Sequence, residues 1–157
     1  MRLLYFLLFL ATLAYLGYPY VNLYRLDRAL MQNDHAALNK LVDLGALKAQ
    51  HKAMFEKQVQ RSIGEQPGPI SDLVRDGARW YGVQTADGID LDWVRQRLRR
   101  GRASAPDAYP SIITDMTFAF FEWPTRFLIR LGDLGDNPIH VRMGLEDWRW
   151  RVTGIYD

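Results

Sequence analysis

The chain contains no cysteine. Disulfides, thiolate metal sites and cysteine nucleophiles are therefore excluded; the absence fits an oxidising compartment without requiring one. Histidine is scarce as well. His35, His51 and His140 form neither an HExxH nor a His-x-His pair, so the common zinc arrangements are not encoded. There is no Gly-x-Ser-x-Gly, P-loop or Gly-x-Gly-x-x-Gly. Asp133 to Asn137 reads Asp-Leu-Gly-Asp-Asn, which lacks calcium-loop spacing and suits a hairpin loop. Internal repeats and low-complexity tracts are missing too. These absences point away from an enzyme and imply no cofactor. Charge of either sign is absent from Leu3 to Val21.

What is present begins with that uncharged stretch. Seven Leu and two Phe fall between Leu3 and Leu16. As a helix rising ~1.5 Å per residue, residues 3–21 span roughly 28 Å, close to the ~30 Å hydrocarbon layer of a bilayer. The sequence predicts a transmembrane anchor over residues 1–24, with Tyr15, Tyr18 and Tyr20 as an interfacial belt. A cleaved signal peptide is the rival, because Arg2 ahead of Leu3–Leu10 resembles n- and h-regions. Its one small-residue cleavage candidate, Thr12-Leu13-Ala14, is poor. Arg2 lies before the segment and Arg25, Arg28 and Lys40 after it, so the basic residues do not place the body outside and weakly oppose it. The short, signal-like start favours export, which makes the expected protein single-pass in a bacterial inner membrane with a periplasmic body.

Residues 25–157 are the right size for one domain. Tyr24, Leu26, Ala29 and Leu30 continue a helical period past Pro19, the expected membrane exit. Asp34 is a candidate N-cap for a short helix through Leu38, Leu41 and Val42. Asp43 is another, for a longer helix carrying Leu44, Leu47, His51, Met54, Phe55 and Val59 at three- and four-residue steps. Gly64 and Pro67-Gly68-Pro69 stop that helix. Ser71 to Trp80 predicts a third, and the stretch after Asp87-Gly88 a fourth, with Asp90 and Asp92 at its start, where the dipole favours carboxylates. Residues 101–110 are a linker by composition. Beyond them the period is two: Met116, Phe118 and Phe120; Phe127, Ile129 and Leu131; Ile139, Val141 and Met143; Trp148, Trp150 and Val152. Trp123-Pro124, Gly132 to Pro138 and Glu146-Asp147 separate these runs. Helices over 25–100 and then strands over 111–157 give an α+β domain, with three to four helices ahead of an antiparallel meander of about four strands.

The residues Tyr18-Pro19-Tyr20, Leu26-Asp27-Arg28-Ala29-Leu30, Asp34, Leu38, Leu41-Val42-Asp43 and Leu47-Lys48 resemble a bacterial family catalogued as domain of unknown function 2939. The ending, Phe127-Leu128-Ile129 and Trp148-Arg149-Trp150-Arg151-Val152-Thr153, is similar to that family's closing strands. Gly45 departs from the pattern, where proline is expected, and so does His51, where an aliphatic residue is. The resemblance implies an envelope location and this fold. It supplies no catalytic residue, because the family has no established activity.

Two basic features stand out. Arg95, Arg97, Arg99, Arg100 and Arg102 crowd the end of the fourth helix. There they complement the helix dipole, or they contact anionic lipid headgroups. A nucleic-acid role would need a cytoplasmic body, and neither a helix-turn-helix nor an RNA-binding signature accompanies the cluster. The second feature follows from the alternation. With Phe127, Ile129 and Leu131 inward, Arg126, Arg130, His140, Arg142, Arg149 and Arg151 share the opposite sheet face. Like charges that close repel, unless acidic helix residues such as Glu56, Glu65 or Asp72 cover them, or an anion binds. The expectation is a membrane-tethered binding or accessory module for an anionic lipid, polymer or envelope protein. The alternative is a small-ligand or degenerate enzyme-like domain with a pocket between Trp80, Trp93, Phe118 and Trp150.

Overall fold

In the computed structural model, which describes residues 1–63, 68–99, 111–133, 135 and 137–156, the leading helix α1 (Arg2–Gln32) runs unbroken through Pro19. No junction near residue 24 separates an anchor from a body. The two halves of α1 differ in charge and in what surrounds them. Every side chain from Met1 to Ala14 is exposed, whereas Pro19, Asn22, Leu23, Leu26, Asp27 and Leu30 form a buried stripe at three- and four-residue steps, one face of a 3.6-residue helix. Asn33 ends the helix in the left-handed conformation at φ 56, its N–H directed to the Ala29 and Leu30 carbonyls. α1 is long and apolar enough to be a membrane span or a signal anchor.

The tyrosines expected to form a lipid-facing belt turn toward the protein instead. Tyr15 stacks on Phe121 with centroids 6.0 Å apart, and its hydroxyl donates to the Pro124 carbonyl. Tyr18 packs against the core. Tyr20 meets the edge of Phe127 at 4.9 Å and donates to the Ala119 carbonyl at 3.3 Å. A sheet beside the helix gives these amphipathic rings a protein surface, so a bilayer is not needed to satisfy them.

α2 (His35–Leu41) starts at Asp34, whose Oδ1 accepts the Ala37 N–H at 2.9 Å. α3 (Leu44–Ile63) starts at Asp43, whose Oδ1 accepts the Ala46 N–H at 2.8 Å. Both caps stand where the sequence placed them. α4 (Pro69–Asp87) is longer than the expected Ser71–Trp80. It continues through Gly82, which faces the Phe55 ring of α3. α5 (Leu91–Arg99) follows, capped by Asp90, whose Oδ1 accepts the Trp93 N–H at 2.7 Å. The linker expected over 101–110 lies outside the described residues.

β1 (Met116–Trp123), β2 (Arg126–Leu131), β3 (Ile139–Glu146) and β4 (Arg149–Tyr156) form one antiparallel sheet in the order β1-β2-β3-β4. The architecture is thus the α+β arrangement that the change of period predicts, with four helices (α2 to α5) besides the leading one. One sheet face carries Phe127, Ile129, Leu131, Val141, Met143, Trp150 and Val152, and it packs on Leu26 and Leu30 of α1, Leu38 of α2, Leu47 of α3 and Val94 and Leu98 of α5. The α2–α3 junction also extends the β4 edge, where Val42 bridges Val152 in parallel and the Asp43 N–H donates to the Val152 carbonyl at 2.9 Å.

Two polar residues lie in the buried stripe of α1. Asp27, 6% exposed, accepts the Ile112 N–H at 2.6 Å and the Ser111 hydroxyl at 2.9 Å. It pins α1 to the chain entering β1. Asn22 returns its amide to the Tyr18 carbonyl at 3.2 Å. Removing a buried acceptor leaves its donors unsatisfied at a cost of about 1–3 kcal/mol. Asp27→Ala is therefore expected to lower stability by about that much in urea melts of the detergent-solubilised protein, while an exposed control such as Asp76→Ala changes it by less than about 0.5 kcal/mol.

Candidate functional site

The outer sheet face is where the sequence gathers cations, and strand pairing decides which of them meet. Along β2, Phe127, Ile129 and Leu131 are buried and Arg126, Leu128 and Arg130 point away. β3 repeats the pattern, placing His140 and Arg142 outward. On β4, Arg149 and Arg151 alternate with buried Trp150 and Val152. Opposite the Arg142–Met143 step a bulge adds Thr153, since Arg142 pairs with Gly154 and Met143 with Val152. The extra residue turns Tyr156 onto the outer face beside His140 and Arg142.

β1 breaks the expected alternation. Register shifts between Met116 and Phe118, so Met116, Ala119 and Phe121 pack toward the core while Phe118 and Phe120 are exposed. A bulge reverses the parity of everything after it. This one also turns Glu122 outward.

That reversal supplies the acid missing from the cationic face. Arg142 Nε donates to Glu122 Oε2 at 3.0 Å and its Nη2 to Oε1 at 3.4 Å, a two-toothed pair reaching across β2. The same guanidinium lies 5.3 Å over the Tyr156 ring and donates to its hydroxyl at 3.1 Å. Arg130 lies 5.3 Å over Phe118, with Nε on Thr117 Oγ1 at 3.1 Å. Arg151 meets Asp43 at 3.3 Å and the Asn39 and Val42 carbonyls at 3.3 and 3.2 Å. His140 stacks on Tyr156 at 5.4 Å.

Among the described residues the neutralising acids are therefore Glu122 and Asp43, not Glu56 or Asp72. Asp72 pairs with Arg75 within α4 at 3.5 Å; Glu56 borders a groove with Arg75 and Arg79 between α3 and α4; Glu65 lies outside the described residues. α4 packs mainly on α3. Arg126 and Arg149 remain exposed at one end of that face, and neither has an acidic or hydrogen-bond partner among the described residues.

Asp43 and Glu146 share the field of Arg151. The Ala46 amide, then Glu146 and Arg151, hold the Asp43 carboxyl below its ordinary 3.8, against the opposing cost of partial burial. Partial burial, then the hydrogen bond and charge of Asp43, hold Glu146 above its ordinary 4.5. Burial raises the Tyr156 phenol above 10.0 against the pull of Arg142.

The other expected sites disperse. Arg95, Arg97 and Arg99 lie on α5, where Val94 and Leu98 face the core. Arg95 reaches Asp92 one turn back at 3.6 Å. Arg100 and Arg102 lie outside the described residues. The aromatic pocket does not form. Trp80 is exposed on α4 and Phe118 is exposed on the outer face. Trp93 meets His51 at 6.4 Å, while Trp150 is closed in the core against Tyr15, Phe121 and Phe127. Helical and strand periods mark all four as apolar without saying which layer each enters. No group of three His, Asp or Glu side chains is close enough to hold a metal among the described residues.

An apolar leading helix whose second half is built into a helix-backed meander defines the class, a small α+β domain on a candidate membrane helix. A family model described as "Protein of unknown function (DUF2939)" matches residues 8–92, more than half the length, and the chain belongs to that family. The match runs from the exposed half of α1 to the start of α5, takes in Asp27, Asp34 and Asp43, and stops short of the sheet. No curated protein and no solved structure matches.

A pH dependence follows from the carboxyl pair. A raised folded-state pKa contributes stability below the unfolded value and loses it as pH rises through the folded value. Glu146→Gln keeps the uncharged form throughout. Its melting temperature is expected to match wild type near about pH 4 and to exceed it near about pH 7; a gap that shrinks as pH rises would contradict this assignment.

Proposed function

We propose that this protein is a membrane-tethered accessory module that works by binding, with its domain on the periplasmic side of a bacterial inner membrane. The observation that carries the reading is the continuity of α1: one rigid helix is exposed and apolar over residues 1–14 and is the domain's own core from Leu23 to Leu30. A cleaved leader is removed without touching the fold. A cut near Ala14 would meet that condition, so retention is supported instead by the poor match of Thr12-Leu13-Ala14 to a cleavage site.

The binding surface in this reading is the end of the outer face that carries Arg126 and Arg149, and the partner is anionic, whether lipid headgroup, polymer or protein. Support comes from contrast with the neighbouring cations: Arg130, Arg142 and Arg151 spend their donors within the molecule, and these two do not. Catalysis is not part of the reading, because no motif or cluster on the sheet pairs a nucleophile with a base.

Two measurements test it. C-terminal fusions should give active alkaline phosphatase and dark green fluorescent protein; the reverse result would move the domain to the cytoplasm. Arg126→Ala with Arg149→Ala should release the protein from immobilised dextran sulfate at distinctly lower salt than wild type, as expected for lost exposed charge contacts. Unchanged elution would remove these residues from the interface.

A further inference from the structure

α1 leaves the sheet at one end only, and that end carries two exposed indoles. The contacts fix the direction: Asp27 sits at Ser111 and Ile112, Tyr20 at Ala119, and Tyr15 at Pro124. Following α1 back toward its N-terminus thus follows β1 forward to the β1–β2 tip at Trp123-Pro124-Thr125. The β3–β4 tip lies beside it, since the Leu145 N–H donates to the Thr125 carbonyl at 2.9 Å and Gly144 pairs with Arg126. Both tips point where the free apolar half of α1 emerges. Trp123 is 67% exposed and Trp148 83%.

Trp148 also occupies a backbone position that disfavours it. Asp147 and Trp148 are the central residues of the tight turn between the paired Glu146 and Arg149. Their φ values are 47 and 60, both positive, as a type I′ turn requires. Glycine or asparagine fills such positions easily, whereas a bulky side chain there is strained. Little packing among the described residues offsets that strain at an indole 83% exposed, and strain kept at an exposed tip points to a contact outside it.

The length of α1 says what that contact is. Tyr15 is the first docked residue, so only residues 2–14 are free, about 20 Å at ~1.5 Å per residue. The hydrocarbon layer is ~30 Å thick, with interfacial layers of roughly 6 Å on each side. A helix that short cannot cross with its domain held clear in water. Even with the tips in the headgroup layer the free helix is about 10 Å shorter than the hydrocarbon, so inserting it draws the domain down until the tips meet that layer, where indole rings concentrate.

We infer that the Trp123 and Trp148 tips seat in the interfacial layer of the bilayer that α1 enters, the two indoles setting the height and tilt of the domain. This rests on α1 being an uncleaved tether. It requires no anionic lipid, because the anchors are uncharged.

Full-length protein in phosphatidylcholine vesicles tests it, with shallow spin-labelled phosphatidylcholine quenching tryptophan emission from the lipid side and iodide from the water side. The emission lost in Trp123→Phe with Trp148→Phe reports the two tips. It is expected to be quenched several-fold more by the spin label than by iodide. Trp148→Gly relieves the strained turn, so its melting temperature in detergent should equal or exceed wild type's, while the remaining tip signal becomes more open to iodide. Tips as open to iodide as Trp80 would overturn the seating; if the protein still floated with the vesicles, the tether would stand. Failure to float would overturn the tether and the seating with it. Tip quenching that appeared only with added phosphatidylglycerol would overturn the indole account and make Arg126 and Arg149 the contacts.

Discussion

The packing of α1 against the sheet is the constraint on which the rest of this structure depends. Leu23, Leu26 and Leu30 bring apolar surface to the inner face, and Asp27 adds a buried carboxylate that accepts from Ser111 and Ile112. The apolar contacts supply most of the driving force, but they tolerate sliding. The carboxylate does not, because a shift along α1 by one turn would strand it in the core without donors, and a buried unpaired charge is costly. Asp27 thus sets the register between helix and sheet, and through it the level at which every later contact of α1 is made.

The outer face solves a different problem with the same economy. Adjacent cations on neighbouring strands repel, and this sheet disperses them into separate partnerships. Arg142 takes Glu122 and Tyr156, Arg130 takes the face of Phe118, and Arg151 takes Asp43 and two carbonyls at the end of α2. Asp43 is the economical element, since one carboxylate caps α3 with one oxygen and pairs Arg151 with the other. A helix start is thereby tied to the edge strand of the sheet.

Much of this was legible in the sequence because it is local. Caps at Asp34 and Asp43 and the alternation along β2, β3 and β4 depend on residues within a few positions of each other. The failures trace to particular residues. One extra residue near Thr117 inverted β1, so Phe118 looked like core and Glu122 never appeared as the partner of Arg142. A bulge has no sequence signature comparable to a cap. The tyrosine belt failed because Tyr15, Tyr18 and Tyr20 satisfy two hypotheses equally: an aromatic ring with a hydroxyl suits a lipid interface and a sheet edge for the same reason. Asp27 was the missed signal that could have been found. It sits one residue after Leu26 and three before Leu30, inside the apolar stripe, and a carboxylate in that position must meet donors somewhere.

Continuity of α1 has a consequence for what the domain can meet. A domain on a flexible linker samples many orientations, and its surfaces reach partners at a range of heights. No linker intervenes here: residue 14 is free and residue 15 is docked on the same helix. The orientation of the sheet therefore follows the orientation of the helix, and whatever tilts one tilts the other. Arg126 and Arg149 flank the two tips nearest the emerging helix, whereas Arg130 and His140 sit farther along the strands. The two outer-face cations without partners among the described residues are thus those nearest the end where α1 emerges, and the paired ones lie farther from it. Neutralisation is distributed along the helix axis, and under the proposed tether a surface patterned along that axis would distinguish a partner at the bilayer from one in bulk water.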